Sequence, residues 1–171
     1  MMSERDSIKS VLAAVKQNGL DLEHASERLK GNGKIVLAAI KQNGLALEHA
    51  SKKLRAHPDT VLTAVRQNGL ALEFASGELK DEIIIVCPAV RQNGLALQFA
   101  SEEMKNREWV VQDAVKQNSD ALKYAPGGLR GKLRDELRDE PRDEPRDEPQ
   151  KTLSERGKRL KVGESKSETT T

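Results

Sequence analysis

Gln17-Asn18-Gly19-Leu20 recurs as Gln42-Asn43-Gly44-Leu45, Gln67-Asn68-Gly69-Leu70 and Gln92-Asn93-Gly94-Leu95, then in altered form as Gln117-Asn118-Ser119-Asp120, always 25 residues on. A fixed period of this kind is the signature of a repeat architecture and is read before any local structure. Other columns keep the same step. Val11, Val36, Val61, Val86 and Val111 form one, and Leu22, Leu47, Leu72, Leu97 and Leu122 another. Five copies follow without insertion, near 6–30, 31–55, 56–80, 81–105 and 106–130.

Within a copy, Val11, Ala14 and Val15 have i, i+3, i+4 spacing, and Leu22, Ala25 and Leu29 have i, i+3, i+7 spacing. Both patterns put apolar side chains on one face of a helix. The Gln-Asn-Gly-Leu step between them reads as a helix stop, with Gly19, Gly44, Gly69 and Gly94 in the left-handed conformation. The leucine that follows should then pack back on the preceding turn, Leu20 on Val15 and Leu45 on Ile40. A helix of about ten residues is marginal alone in water, so the copies need one another. The expected fold is all-α: a right- or left-handed solenoid of five 25-residue helical hairpins, about ten short helices in residues 1–130. Tetratricopeptide, ankyrin and HEAT units need about 33 residues or more. Leucine-rich repeats need an alternating strand that is missing here.

Val11-Leu12-Ala13-Ala14-Val15-Lys16-Gln17-Asn18-Gly19-Leu20, with the Leu-Glu and Ala-Ser steps that follow in each copy, resembles the tandem repeat known as domain of unknown function 4116. The resemblance covers residues 6–130. It implies a helical array, and it brings no activity and no functional residues.

Composition narrows the function classes. The 171 residues are 36% hydrophobic, 33% charged and only 2% aromatic, so the core must be aliphatic. A formal charge of +2 supplies little field for polyanions. Cys87 is single, which excludes an intrachain disulfide and a cysteine-based zinc site and suits a reducing, cytoplasmic setting. The polar opening and the lack of any 18-residue apolar run argue against a signal peptide or a membrane span.

Two departures fall inside the array. Pro88 sits where a helix interior is expected, so this helix should kink or begin at the proline; Cys87 shares its column with Leu12, Leu37 and Leu62 and reads as a small buried hydrophobe. Copy five carries Ser119, Asp120 and Pro126, as a terminal repeat with no follower would. From Gly131 the composition changes to Arg-Asp-Glu-Leu and then Arg-Asp-Glu-Pro steps. Residues 131–171 are therefore expected to be a disordered, charged spacer. Lys158, Arg159 and Lys161 in that tail form a weak basic cluster of the kind that serves as a nuclear address.

No catalytic residue, cofactor or metal site is expected. His24 and His49 share a column with Phe74, Phe99 and Tyr124 and read as medium-sized rings rather than ligands. Lys16, Lys41, Arg66, Arg91 and Lys116 form one ladder of cations, and Lys30, Arg55, Lys80, Lys105 and Arg130 a second. Both stand where helices end, and cations there complement the helix dipole by about 0.3–1 kcal/mol each. The expected function is a non-enzymatic module that binds another protein through columns that vary between copies: Glu23, Arg28, Glu48, Lys53, Glu73, Glu78, Gln98 and Glu103, with Trp109. The alternative is RNA or another polyanion along the first cation ladder.

Overall fold

A computed structural model describes residues 7–139, with side-chain surroundings up to residue 136. The described residues are helical throughout and contain no strand. Each copy opens with a ten-residue helix: α1 (Ile8–Gln17), α3 (Gly33–Gln42), α5 (Pro58–Gln67), α6 (Ile83–Gln92) and α8 (Glu108–Gln117). A six-residue 3-10 helix follows in every copy, Gly19–His24 in the first and Gly44–His49 in the second. The copies close on a single turn, α2 (Glu27–Lys30), α4 (Lys52–Arg55) and α7 (Glu102–Asn106), and copy five on the longer α9 (Gly127–Asp139). In copy three that turn is only a 3-10 segment, Leu79–Asp81. Gly77 stands there where copies one, two and four have Glu27, Lys52 and Glu102, and glycine is a poor helix former.

The expected two-helix hairpin is therefore modified in its second half. Ala25 closes the 3-10 helix through its N–H to the Leu22 carbonyl, at φ −74° and ψ 153°. The extended backbone continues into the next serine, which in copies two to four donates to the preceding copy: Ser51 N to Lys30 O, Ser76 N to Arg55 O and Ser101 N to Lys80 O, each 3.0 Å. Those bonds tie the extended segment to the copy before; copy one, with no copy before it, breaks at the same place, so they accompany the break rather than cause it.

The turn also differs from the expected one. None of Gly19, Gly44, Gly69 and Gly94 has a positive φ. The first helix ends because Asn18 is extended, φ −138° and ψ 110°; its N–H makes the last helical bond, to Ala14 O, and its side chain accepts from Leu20 N as the cap of the next helix. The same asparagine thus stops one helix and starts another. Leu20 is 38% exposed, whereas Leu45 packs half-buried against the core.

Glycine is required for a different reason. A Cβ on Gly44 would stand 2.6 Å from the Ala64 carbonyl oxygen and 2.8 Å from Gln67 Oε1, both in the next copy. The next helix crosses too closely for any side chain. Gln67 Oε1 accepts from Gly44 N at 2.5 Å, and its Nε2 donates to Gln42 O at 3.3 Å. Gln42 holds Gly19 N at 2.6 Å and Gln17 O at 3.2 Å in the same way. Gln92 repeats the pair on Gly69 and Gln67, and Gln117 accepts from Gly94 N. From copy two onward, each glutamine of the repeated motif is a clamp on the glycine of the copy before it.

The core runs along these junctions. Val11, Val36, Val61, Val86 and Val111 are buried, as are Leu22, Leu47, Leu72 and Leu97. Each ten-residue helix packs on its successor, and each 3-10 helix on the next. Both ends are adapted. Copy one has exposed Ser10 where Ile35, Thr60, Ile85 and Val110 are buried, and Asp21 where Ala46, Ala71, Ala96 and Ala121 are buried. Asp21 Oδ1 accepts from Asn18 Nδ2 at 2.7 Å. In copy five Ser119 replaces the clamped glycine, and Pro126 lacks the N–H that Ser51, Ser76 and Ser101 use.

α6 runs unbroken through Pro88, so the helix does not begin there. Pro88 leaves the Ile84 carbonyl without its helical donor, on a residue that is 63% exposed. Cys87 is buried, as its column predicts. The expected tail boundary at residue 130 falls inside α9: Leu133 is 4% exposed and Lys132 Nζ meets Glu108 Oε1 at 2.5 Å. Residues 131–139 are thus helix, because Leu129 and Leu133 at i, i+4 give them an apolar face for the end of the array. The rest of the expected tail, with Lys158, Arg159 and Lys161, lies outside the described residues.

Candidate functional site

The variable columns belong to the second half of each copy. Glu23, Glu48 and Glu73 are exposed near the ends of their 3-10 helices, and consecutive 3-10 helices pack together, so the three form a row. Gln98 continues the row half-buried, with its Nε2 bound to Leu95 O at 3.1 Å. Arg28, Lys53, Glu78 and Glu103 are exposed in the closing turns. Glu103 is ion-paired with Arg107 at 3.1 Å. Trp109 stands apart from both rows, on α8, and is 42% exposed.

The two cation ladders separate on exposure. Lys30, Arg55, Lys80, Lys105 and Arg130 are all half-buried. Lys30 pairs with Glu27 at 3.0 Å and Lys105 with Glu102 at 2.8 Å, and the carbonyls of Lys30, Arg55 and Lys80 carry the serine bonds between copies. This ladder is structural. Lys16, Lys41, Arg66, Arg91 and Lys116 are all exposed. Among the described residues only Arg91 of these five is ion-paired, through Nε to Asp113 Oδ2 at 2.7 Å on the next helix. That pair raises the Arg91 pKa further, through the hydrogen bond first and the charge second.

The sequence reading missed the glutamine clamp and the polar first copy. Signals for both were present. Gln17, Gln42, Gln67, Gln92 and Gln117 never vary, although a glutamine at a helix end has no local reason to be kept; Ser10 and Asp21 are polar entries in otherwise small or apolar columns. Among the described residues no group of three or more His, Cys, Asp and Glu side chains is placed to hold a metal ion. None of their helices is long and apolar enough to cross a membrane.

Copies joined by a repeated side-chain clamp and a shared aliphatic core define a tandem helical-repeat protein. The family model described as domain of unknown function (DUF4116) matches residues 11–55, 57–105 and 85–130, and the chain belongs to that family. Each match spans nearly two of the 25-residue copies. No curated protein and no solved structure matches the chain.

Proposed function

We propose that the chain is a non-enzymatic interaction module, a solenoid of five copies that binds another protein through its exposed variable columns. One observation carries the reading. The residues that join the copies, Gln42, Gln67, Gln92 and Gln117 with Gly19, Gly44, Gly69 and Gly94, are fixed, while exposed positions of the same scaffold differ between copies: Arg28, Lys53, Glu78 and Glu103 in one column, and in the other Glu23, Glu48 and Glu73 give way to Gln98. A rigid backbone with variable side chains in rows is how repeat arrays present a binding surface. Cys87 as the sole cysteine suits a reducing compartment, which we take to be the cytoplasm.

A second reading, RNA or another polyanion along Lys16, Lys41, Arg66, Arg91 and Lys116, draws on the exposure of all five side chains. Salt and nuclease separate the two. The full chain is used for affinity capture from native lysate, beside a variant with Glu23, Glu48 and Glu73 changed to Lys. A protein retained after nuclease treatment and lost by the variant supports the first reading. Capture that nuclease abolishes, with affinity falling steeply as salt rises, overturns it in favour of the second.

A further inference from the structure

The first helices carry an exposed stripe; the helix dipole accounts for the cations at its last position but not for the residues at its first. Positions i, i+4 and i+7 of each helix share a face, which gives Lys9-Ala13-Lys16, Lys34-Ala38-Lys41, Asp59-Thr63-Arg66, Ile84-Pro88-Arg91 and Trp109-Asp113-Lys116 in successive copies. The bond from Arg91 on α6 to Asp113 on α8 shows that the stripes of neighbouring helices meet. The last position is a cation throughout and exposed throughout. The first is exposed in every copy and reads, in order, Lys9, Lys34, Asp59, Ile84, Trp109: two bases, an acid and two large apolar groups.

Ile83, Ile84 and Trp109 are 43%, 63% and 42% exposed, an apolar end beside a basic one. The neighbouring Glu108 is already neutralised by Lys132. A uniform polyanion matches the cation row but would be repelled by Asp59 and would leave Ile84 and Trp109 in water. An anionic membrane surface has the same conflict with Asp59. A linear heteropolymer can follow the order. Helices packed about 10 Å apart match an extended chain of polyproline II form, which advances about 3.1 Å per residue with three residues per turn and so presents every third side chain to one face.

We propose that this stripe binds an extended, net acidic peptide segment of a partner protein, with acidic side chains against Lys9 and Lys34, a basic one against Asp59 and apolar ones against Ile84 and Trp109. The exposed cation row fixes the acidic character of the partner and the apolar pair fixes which end lies where. The proposal rests on the reading of the array as a protein-binding module, and it adds a face distinct from the columns of Glu23 and Arg28.

The test uses the full chain and a synthetic peptide with two glutamates, a lysine, a leucine and a phenylalanine in that order, each separated by two serines. Trp109 is the only tryptophan, so its emission reports docking at the apolar end. The expected result is a blue shift on titration, with affinity lowered about tenfold by Ile84→Ser and about fivefold by Asp59→Lys. A second peptide with glutamate in place of the lysine should reverse the Asp59→Lys loss. Both substitutions are at exposed positions, and unchanged circular dichroism verifies that the variants are folded. No emission shift, or binding indifferent to Asp59→Lys with either peptide, overturns the proposal. So does an equal shift, with the same response to the variants, given by oligouridylate or by phosphatidylserine vesicles. Lysate capture that still depends on Glu23, Glu48 and Glu73 while the peptide fails would sink this site and leave the broader function standing.

Discussion

Gln67 and Gly44 lie in different copies, yet the glutamine amide oxygen receives the glycine N–H at 2.5 Å, and the missing glycine side chain is what lets it approach. Each residue explains the other. Without the glycine the Ala64 carbonyl and the Gln67 amide could not come so near; without the glutamine a part-buried backbone N–H would have no partner. Loss of a partner for a buried N–H costs about 1–3 kcal/mol.

Gly44→Ala should therefore destabilise the array by about 1–3 kcal/mol or more, as overpacking does in a close-fitted interior. Gln67→Ala should cost a similar amount through the orphaned N–H. Ser119→Ala sits at the equivalent glycine position with no following copy against it, and should stay within about 0.5 kcal/mol. Urea unfolding of the three variants checks the contrast. Equal losses at Gly44 and Ser119 would show that the turn itself, rather than the crossing helix, selects glycine.

Pro88→Ala should stabilise the chain. The proline removes the helical bond to the Ile84 carbonyl, and Ala13 and Ala38 fill the same position in copies one and two. An interior proline costs about 3 kcal/mol. Solvent access at Ile84 offsets part of that, so a gain of about 1–2 kcal/mol is expected here. A lower melting temperature for Pro88→Ala would mean that the proline packs against something of greater value than the lost bond.

How far the sequence could be read depended on the range of the interaction. The ten-residue helices and the aliphatic columns were legible, because Val11, Ala14 and Val15 report their own face through spacing alone. The break in the second half was not legible. Leu22, Ala25 and Leu29 keep helical spacing although Ala25 and Ser26 are extended, and the bonds that tie the equivalent segments of later copies to the copy before, from Ser51, Ser76 and Ser101, leave no trace in that spacing. Gly44 was correctly singled out for the wrong reason, since a glycine after Asn43 looks like a left-handed cap until the neighbouring helix is placed across it. The candidate site was half legible. The two cation ladders are indistinguishable in sequence, and burial is what separates Lys30 from Lys16.

Cys87 should react slowly with thiol reagents in the native chain. Burial is the main cause that raises its pKa; Asp113 raises it further, and the Arg91 charge opposes both. A raised pKa lowers the thiolate fraction at any pH below it, and the thiolate is the nucleophile. Labelling near pH 8 should therefore be about tenfold or more slower in buffer than in denaturant. Equal rates would show that the thiol is accessible and that α6 opens freely around Pro88.

The end of the array supplies the remaining test. α9 continues to Asp139, and its Leu133 is buried while Lys132 reaches Glu108. Leu122 is only half-buried, unlike Leu22, Leu47, Leu72 and Leu97, because no sixth copy covers it. α9 supplies the remaining cover. A chain ending at residue 139 keeps the whole of α9 and serves as the reference. A chain ending at residue 130 should lose both the Leu133 packing and the Lys132 ion pair. Leu133→Ala in the full chain isolates the packing and should cost about 2–5 kcal/mol, the range for emptying a buried leucine site. The exposed ion pair is screened by solvent and adds little, so Lys132→Ala should be much milder. If the 130-residue chain melts with the full chain, α9 is an appendage and copy five closes the array unaided.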